Sequence, residues 1–189
     1  MHRLKSFFFA LVAMSLPVAA TGQSGAFDGQ MFIRAMVTGD NGTALQMLQS
    51  TPSLVNARDS KGDTALIIAI QVRNAAWTAT LLKKDADPDL ASRDGTTPMT
   101  AAARIGFRDA VAWLIEKGAD VDSENRMGET ALIIAVQRRE SAIVRLLLDA
   151  GADPDKTDSA AGYSARDYAK RDNRNPELLR MIEAKKPKP

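Results

Sequence analysis

The sequence predicts an all-α solenoid of about five stacked helix pairs linked by β-turn or hairpin fingers. Three observations predict it. A glycine-led motif recurs with a period of 33 residues. Two further landmarks, a Leu-Leu pair and an Ala-Asp pair, keep the same period downstream. The composition is 45% hydrophobic but only 5% aromatic, with frequent alanine and leucine, which suits small, closely packed helices better than a sheet.

The first twenty residues read as a targeting segment. Arg3 and Lys5 precede an apolar run from Phe7 to Leu16, Pro17 breaks the run, and Val18-Ala19-Ala20 form a small-residue cleavage site. The run is short for a bilayer span, which takes roughly 20 residues. Cleavage is expected after Ala20, with Gly22 and Ala26 as alternatives, and no cysteine follows to carry a lipid. Without Arg3 and Lys5, the 25 basic and 23 acidic residues balance, so net charge argues little for nucleic acid. The sole histidine, His2, lies in this segment, and cysteine is absent. The remaining chain is thereby expected to lack disulfides, Cys/His zinc sites and catalysis by Cys or His.

An N-terminal capping unit is expected over 27–55. Asp28-Gly29 stands 33 residues before Gly62 and opens a helix from Met31 to Thr38. A second helix from Thr43 to Gln49 places Leu48 in register with Leu81.

Three full repeats follow, over 56–88, 89–121 and 122–154. Gly62-Asp63-Thr64-Ala65-Leu66 returns as Gly95-Thr96-Thr97-Pro98-Met99 and as Gly128-Glu129-Thr130-Ala131-Leu132. Each glycine supplies a turn with positive φ. The threonine two residues on caps a helix by accepting an N–H bond, and Pro98 takes the first helical position. First helices are expected over Thr64–Gln71, Thr97–Arg104 and Thr130–Arg138, where small Ala69, Ala102 and Ala135 admit the next repeat. Second helices carry an apolar stripe, as in Ile143, Val144, Leu147 and Leu148. Trp77 lies in register with Ala110 and Ile143 and is expected in the core; Trp113 also falls on a second helix. Gly118 and Gly151 end these helices in the left-handed region. Asp85 stands in their register, and a non-glycine residue there costs ~1 kcal/mol.

A C-terminal capping unit is expected over 155–184. The glycine motif appears once more as Gly162-Tyr163-Ser164-Ala165, at a spacing of 34, with the extra residue in Ser159-Ala160-Ala161. Helices are expected over Ser164–Arg171 and Pro176–Glu183. Arg166, Asp167, Lys170 and Arg171 suit an end exposed to water. The residues 185–189 read as a basic disordered tail.

At these residues the chain resembles the ankyrin-repeat family, and as a whole it resembles an exported, periplasmic-type bacterial member. Gly118-Ala119-Asp120-Val121-Asp122 is nearly the family's own motif. Ile67, Thr100, Ile133 and Asp167 occupy its histidine position, so the family's hydrogen-bonded link between turns is expected to be missing. The resemblance implies a non-catalytic protein-binding module whose finger tips and concave helix face hold a partner.

On that implication the protein-binding candidates are Arg58, Lys61, Arg93, Asp94, Arg104, Arg126, Met127, Arg138, Tyr163 and Arg171. Arginine and exposed aromatic groups are favoured anchors, and the recurring arginines suggest a partly acidic partner. The spacing Asp85-x-Asp87-x-Asp89 starts like a calcium loop, but Leu90 and Thr96 stand where glycine and glutamate are required. No cofactor, metal, nucleic acid or stable membrane anchor is expected, and a monomer is. Two rival readings come from other classes: a dedicated inhibitor or immunity protein of one enzyme, and a carboxylate- or serine-based hydrolase. The export signal implies a periplasmic or secreted protein.

Overall fold

The computed structural model describes residues 21–184; the expected leader (1–20) and expected tail (185–189) lie outside them. The described residues form ten α-helices and no strand, as the all-α solenoid requires. Inner helices α1 (Thr21–Thr38), α3 (Ala65–Gln71), α5 (Pro98–Arg104), α7 (Ala131–Gln137) and α9 (Ala165–Arg171) alternate with outer ones. The outer helices are α2 (Asn41–Ser50), α4 (Ala75–Lys83), α6 (Arg108–Glu116), α8 (Ser141–Asp149) and α10 (Pro176–Glu183). A 3-10 turn, Pro52–Asn56, joins the first pair to the second. The fingers are closed by single bridges at Arg58–Thr64, Glu124–Thr130 and Thr157–Ser164.

Each inner helix starts where a hydroxyl can cap it. Thr64, Thr97, Thr130 and Ser164 accept the N–H of Ile67, Thr100, Ile133 and Asp167 at 3.1, 3.2, 3.3 and 3.2 Å. Ile67 and Ile133 are wholly buried. Thr100 and Asp167 instead reach back to the cap N–H at 3.0 and 3.1 Å, completing capping boxes. The link between neighbouring turns is not wholly missing, since the Thr97 and Ser123 hydroxyls meet at 3.2 Å.

The core runs unbroken along the stack. Ala69, Ala102 and Ala135 are fully buried between adjacent inner helices, and Leu81, Leu114 and Leu147 beneath the outer ones. Trp77 is in the core, 4% exposed, its indole N–H donating to Asn41 Oδ1 at 2.7 Å and its ring edge-on to Phe32. Gly118 and Gly151 adopt φ of 80° and 89°, and Asp85 follows them at 61°.

Three details depart from expectation. Helix α1 is already helical at Thr21, well before Met31, and passes through Gly22, Gly25 and Gly29. Burial of Phe32, Ile33 and Met36 and the fit of Gly29 against Ala57 offset the poor helix propensity of those glycines. The first unit is also one residue longer than the period. Gly39 and Arg73 share the left-handed turn, and Asp40 and Asn74 both cap the next helix, so Leu48 is level with Leu82 rather than Leu81. Finally, Arg166 and Asp167 are only partly exposed. Arg166 grips Asp155 with two bonds of 2.6 and 3.1 Å, and Asp167 caps α9.

Candidate functional site

Two surfaces hold the candidate residues. Inner helices α3, α5 and α7 bury their first six residues, and only their last turn emerges. That turn carries Gln71 and Val72 on α3, Arg104 and Ile105 on α5, and Gln137 and Arg138 on α7. Arg171 ends α9 in the same way. These side chains make a palm, and the finger tips rise beside it.

The fingers stack so tightly that Gly62, Gly95 and Gly128 have no room for a side chain. A Cβ on Gly62 would lie 2.6 Å from Arg93 Cβ, one on Gly95 3.0 Å from Arg126 N, and one on Gly128 2.8 Å from Ser159 N. The glycine thus serves both its own turn and the seat of the next finger. Arg126 reinforces the stack, donating to the Arg93 carbonyl at 2.8 Å, and Met127 accepts the Ser159 N–H at 2.8 Å.

The candidate residues divide by how far the fold already uses them. Arg58 donates to the Gly62 carbonyl at 2.7 Å within its own finger. Lys61 and Arg93 extend from the tips with no ion pair among the described residues. Asp94 accepts from the Ser92 hydroxyl and, at 2.9 Å, from the Thr96 N–H, which hold its carboxyl down at about 2. Met127 presents an apolar tip, 48% exposed. On the palm, Arg104 stands 3.8 Å from Glu129. Arg138 has no ion pair among the described residues. Arg171 lies 4.0 Å above the Tyr163 ring, which is itself edge-on to Tyr168. The structure therefore gathers Arg104, Arg138, Arg171 and Tyr163 on the palm side, and Arg58, Lys61, Arg93, Asp94, Arg126 and Met127 on the fingers.

Two further groups border the palm, and neither stands out in the sequence. Tyr168 donates to Asp158 Oδ2 at 2.6 Å. Burial opposes ionisation of Asp158, but that hydroxyl and the N–H groups of Ala161, Ala160 and Gly162 outweigh it and lower its carboxyl pKa. Arg139 binds Asp172 with two bonds of 2.6 and 3.1 Å, and its guanidinium holds the Asp172 carboxyl below the usual carboxylate range. A single sequence signal, the 33-residue offset between Arg139 and Asp172, connects that pair.

The arrangement offers donors, charges and small apolar contacts on an open surface. The described residues hold no cluster of three or more acids that could bind a metal ion. No described helix is long and apolar enough to cross a membrane.

Comparison with known proteins agrees with the repeat. Residues 76–158 match the family model for ankyrin repeats, in three copies. The chain is 38% identical over 82 residues to the nuclear factor NF-kappa-B p105 subunit of Gallus gallus, covering 42% of this chain and 8% of that protein. It is 46% identical over 50 residues to the regulatory protein SWI6 of Kluyveromyces lactis, covering 26% of this chain and 6% of that protein. A transcription factor SWI6 of Pyricularia oryzae is 40% identical over 58 residues, 31% of this chain and 6% of that protein. The chain thus spans less than a tenth of the length of these relatives.

Proposed function

From a chain that carries ankyrin repeats, we propose an exported adaptor that binds a partner protein through its finger tips and palm and catalyses no reaction itself. One observation carries the reading. Inner helices α3, α5 and α7 bury everything but a last turn, and several guanidiniums left on the two surfaces are not neutralised by the fold. Arg93 and Arg138 pair with no carboxylate among the described residues, so their charge is free to meet an acidic partner. A stack whose fingers are locked glycine against backbone offers a preorganised surface and loses little entropy on binding.

Export rests on the leader. Cleavage after Ala20 leaves the described part of α1 whole, whereas cleavage after Ala26 removes six residues of it. N-terminal sequencing of protein recovered from the periplasm of an expressing bacterium is expected to begin at Thr21. Recovery of uncleaved chain in the cytoplasm would refute export.

The binding reading is tested by capture. The mature protein, immobilised, retains its partner from a periplasmic extract, and the partner is identified by mass spectrometry. Replacing Arg93, Arg126 and Arg138 together by alanine is expected to abolish retention while leaving the helical circular dichroism unchanged. Undiminished retention by the folded variant would exclude this face.

A further inference from the structure

The palm is not uniform along the stack. Its first two inner helices end in aliphatic side chains, Val37 on α1 and Val72 at the cap of α3, which are 53% and 56% exposed. They hold places that later repeats give mostly to polar or charged side chains. Counted from the left-handed turn that ends each inner helix, Val37 corresponds to Gln71, Arg104 and Gln137, and Val72 to Ile105 and Arg138. Ile105 is half-buried in the middle of the row. Beyond it come Arg104, Arg138 and Arg171, one guanidinium per repeat at the end of α5, α7 and α9. Two of the acids nearby are already used, Glu129 by Arg104 and Asp172 by Arg139, while Glu140 stands beside Gly106. A surface that exposes two valines where polar residues cost nothing, and then one arginine per repeat, is apolar at one end and cationic at the other.

We propose that the palm receives an extended protein segment with aliphatic residues over α1 and α3 and carboxylates over α5, α7 and α9. This deepens the protein-binding reading and rests on it. The geometry sets the spacing. Packed helices lie 8–10 Å apart, and a segment in the polyproline II conformation advances about 3.1 Å per residue with three residues per turn, so every third residue, all on one face, meets a new repeat. The four inner helices from α3 to α9 are then crossed by roughly 9 residues, and a few more carry the segment on to α1. The two ends fix direction, because reversing the segment sets carboxylates on Val37 and Val72 and leaves the arginines facing aliphatic groups.

The test uses the full chain and labelled synthetic peptides of about 12 residues, read by fluorescence anisotropy. One peptide carries leucine at every third position of its first half and glutamate at every third position of its second. The other has the same composition in scrambled order. The ordered peptide is expected to bind at least tenfold more tightly. Val72→Asp and Arg138→Glu, both at exposed positions, are each expected to erase most of that preference, and circular dichroism confirms that they fold. A peptide with lysine in place of glutamate is expected to recover binding to Arg138→Glu combined with Arg171→Glu. Equal affinity for both orders, no binding of the ordered peptide, or indifference to Val72→Asp would each overturn the bipolar palm. If a natural partner is still captured in an Arg93-, Arg126- and Arg138-dependent manner, protein binding stands and only this ordering falls.

Discussion

Asp85 shows how one residue bears a local cost for the repeat. Its φ of 61° is the conformation that Gly118 and Gly151 adopt one and two repeats later. Holding aspartate there costs about 1 kcal/mol, and its exposed contact with Lys117 at 3.5 Å returns little. Asp85→Gly is therefore expected to raise the melting temperature by roughly 2–4 °C; an unchanged or lower value would contradict the cost assigned to this turn. Asp158 acts in the opposite sense. Its folded pKa is lowered, so the stability it contributes is present above its unfolded value, near pH 4, and is lost as pH falls through the folded one. Asp94, Asp155, Asp167 and Asp172 shift in the same direction. Asp63 opposes them. Burial and the charges of Asp59 and Asp94 raise its pKa, so its own contribution improves on acidification. The sum predicts a melting temperature that drops steeply below pH 4. Asp158→Asn should lower it at pH 7 and make that drop shallower, and melts from pH 7 to pH 2 check both. These residue roles were legible where the backbone demand is narrow, as at glycine turns, threonine caps and Asp85. Arg73 and Arg139 also adopt left-handed φ, at 54° and 60°, and nothing in the local sequence announces it. Arginine has no such preference, and the groups that hold these two, Gly106 with Phe107 and Asp172, lie in the next repeat.

At the scale of elements, two kinds of glycine can be separated. Gly118 and Gly128 both need positive φ, 80° and 70°, but a Cβ on Gly118 meets nothing within 4 Å, while one on Gly128 meets the Ser159 backbone at 2.8 Å. Gly118→Ala is expected to cost about 1 kcal/mol and Gly128→Ala at least twice that, because the next finger must also shift. Equal losses in chemical denaturation would mean that finger stacking adds no rigidity. Helix α1 gives a converse case. Gly25 is exposed in mid-helix with open space around it, whereas a Cβ on Gly29 would lie 3.3 Å from the Ala57 side chain. Gly25→Ala is expected to stabilise by about 0.5–1 kcal/mol and Gly29→Ala to yield less or none; no gain at Gly25 would contradict the early start of α1. The sequence hid that start because Gly22, Gly25 and Gly29 read as breakers. The burial that overrides them comes from Phe32, Ile33 and Met36, on the later turns of the same helix.

For the whole molecule, the period of 33 is the fact from which most else follows. It aligns caps, turns and small residues so that each repeat completes the core of its neighbour, and it was readable because each landmark has its own physical reason to recur. The candidate surface was readable only as a set of exposed positions. The family resemblance, mapped onto the repeat register, placed the arginines on tips and palm, but it could not say which were consumed internally, as Arg126 partly is, or which stayed free, as Arg138 does. The aliphatic end of the palm escaped notice because Val37 and Val72 look like ordinary core residues until their exposure is known. The most direct measurement is amide hydrogen exchange on the protein with and without its captured partner. Binding by tips and palm predicts added protection in the fingers around residues 58–63, 93–96 and 126–129 and in the last turns of α3, α5 and α7, with α4, α6 and α8 unchanged. Protection confined to the outer helices would contradict it.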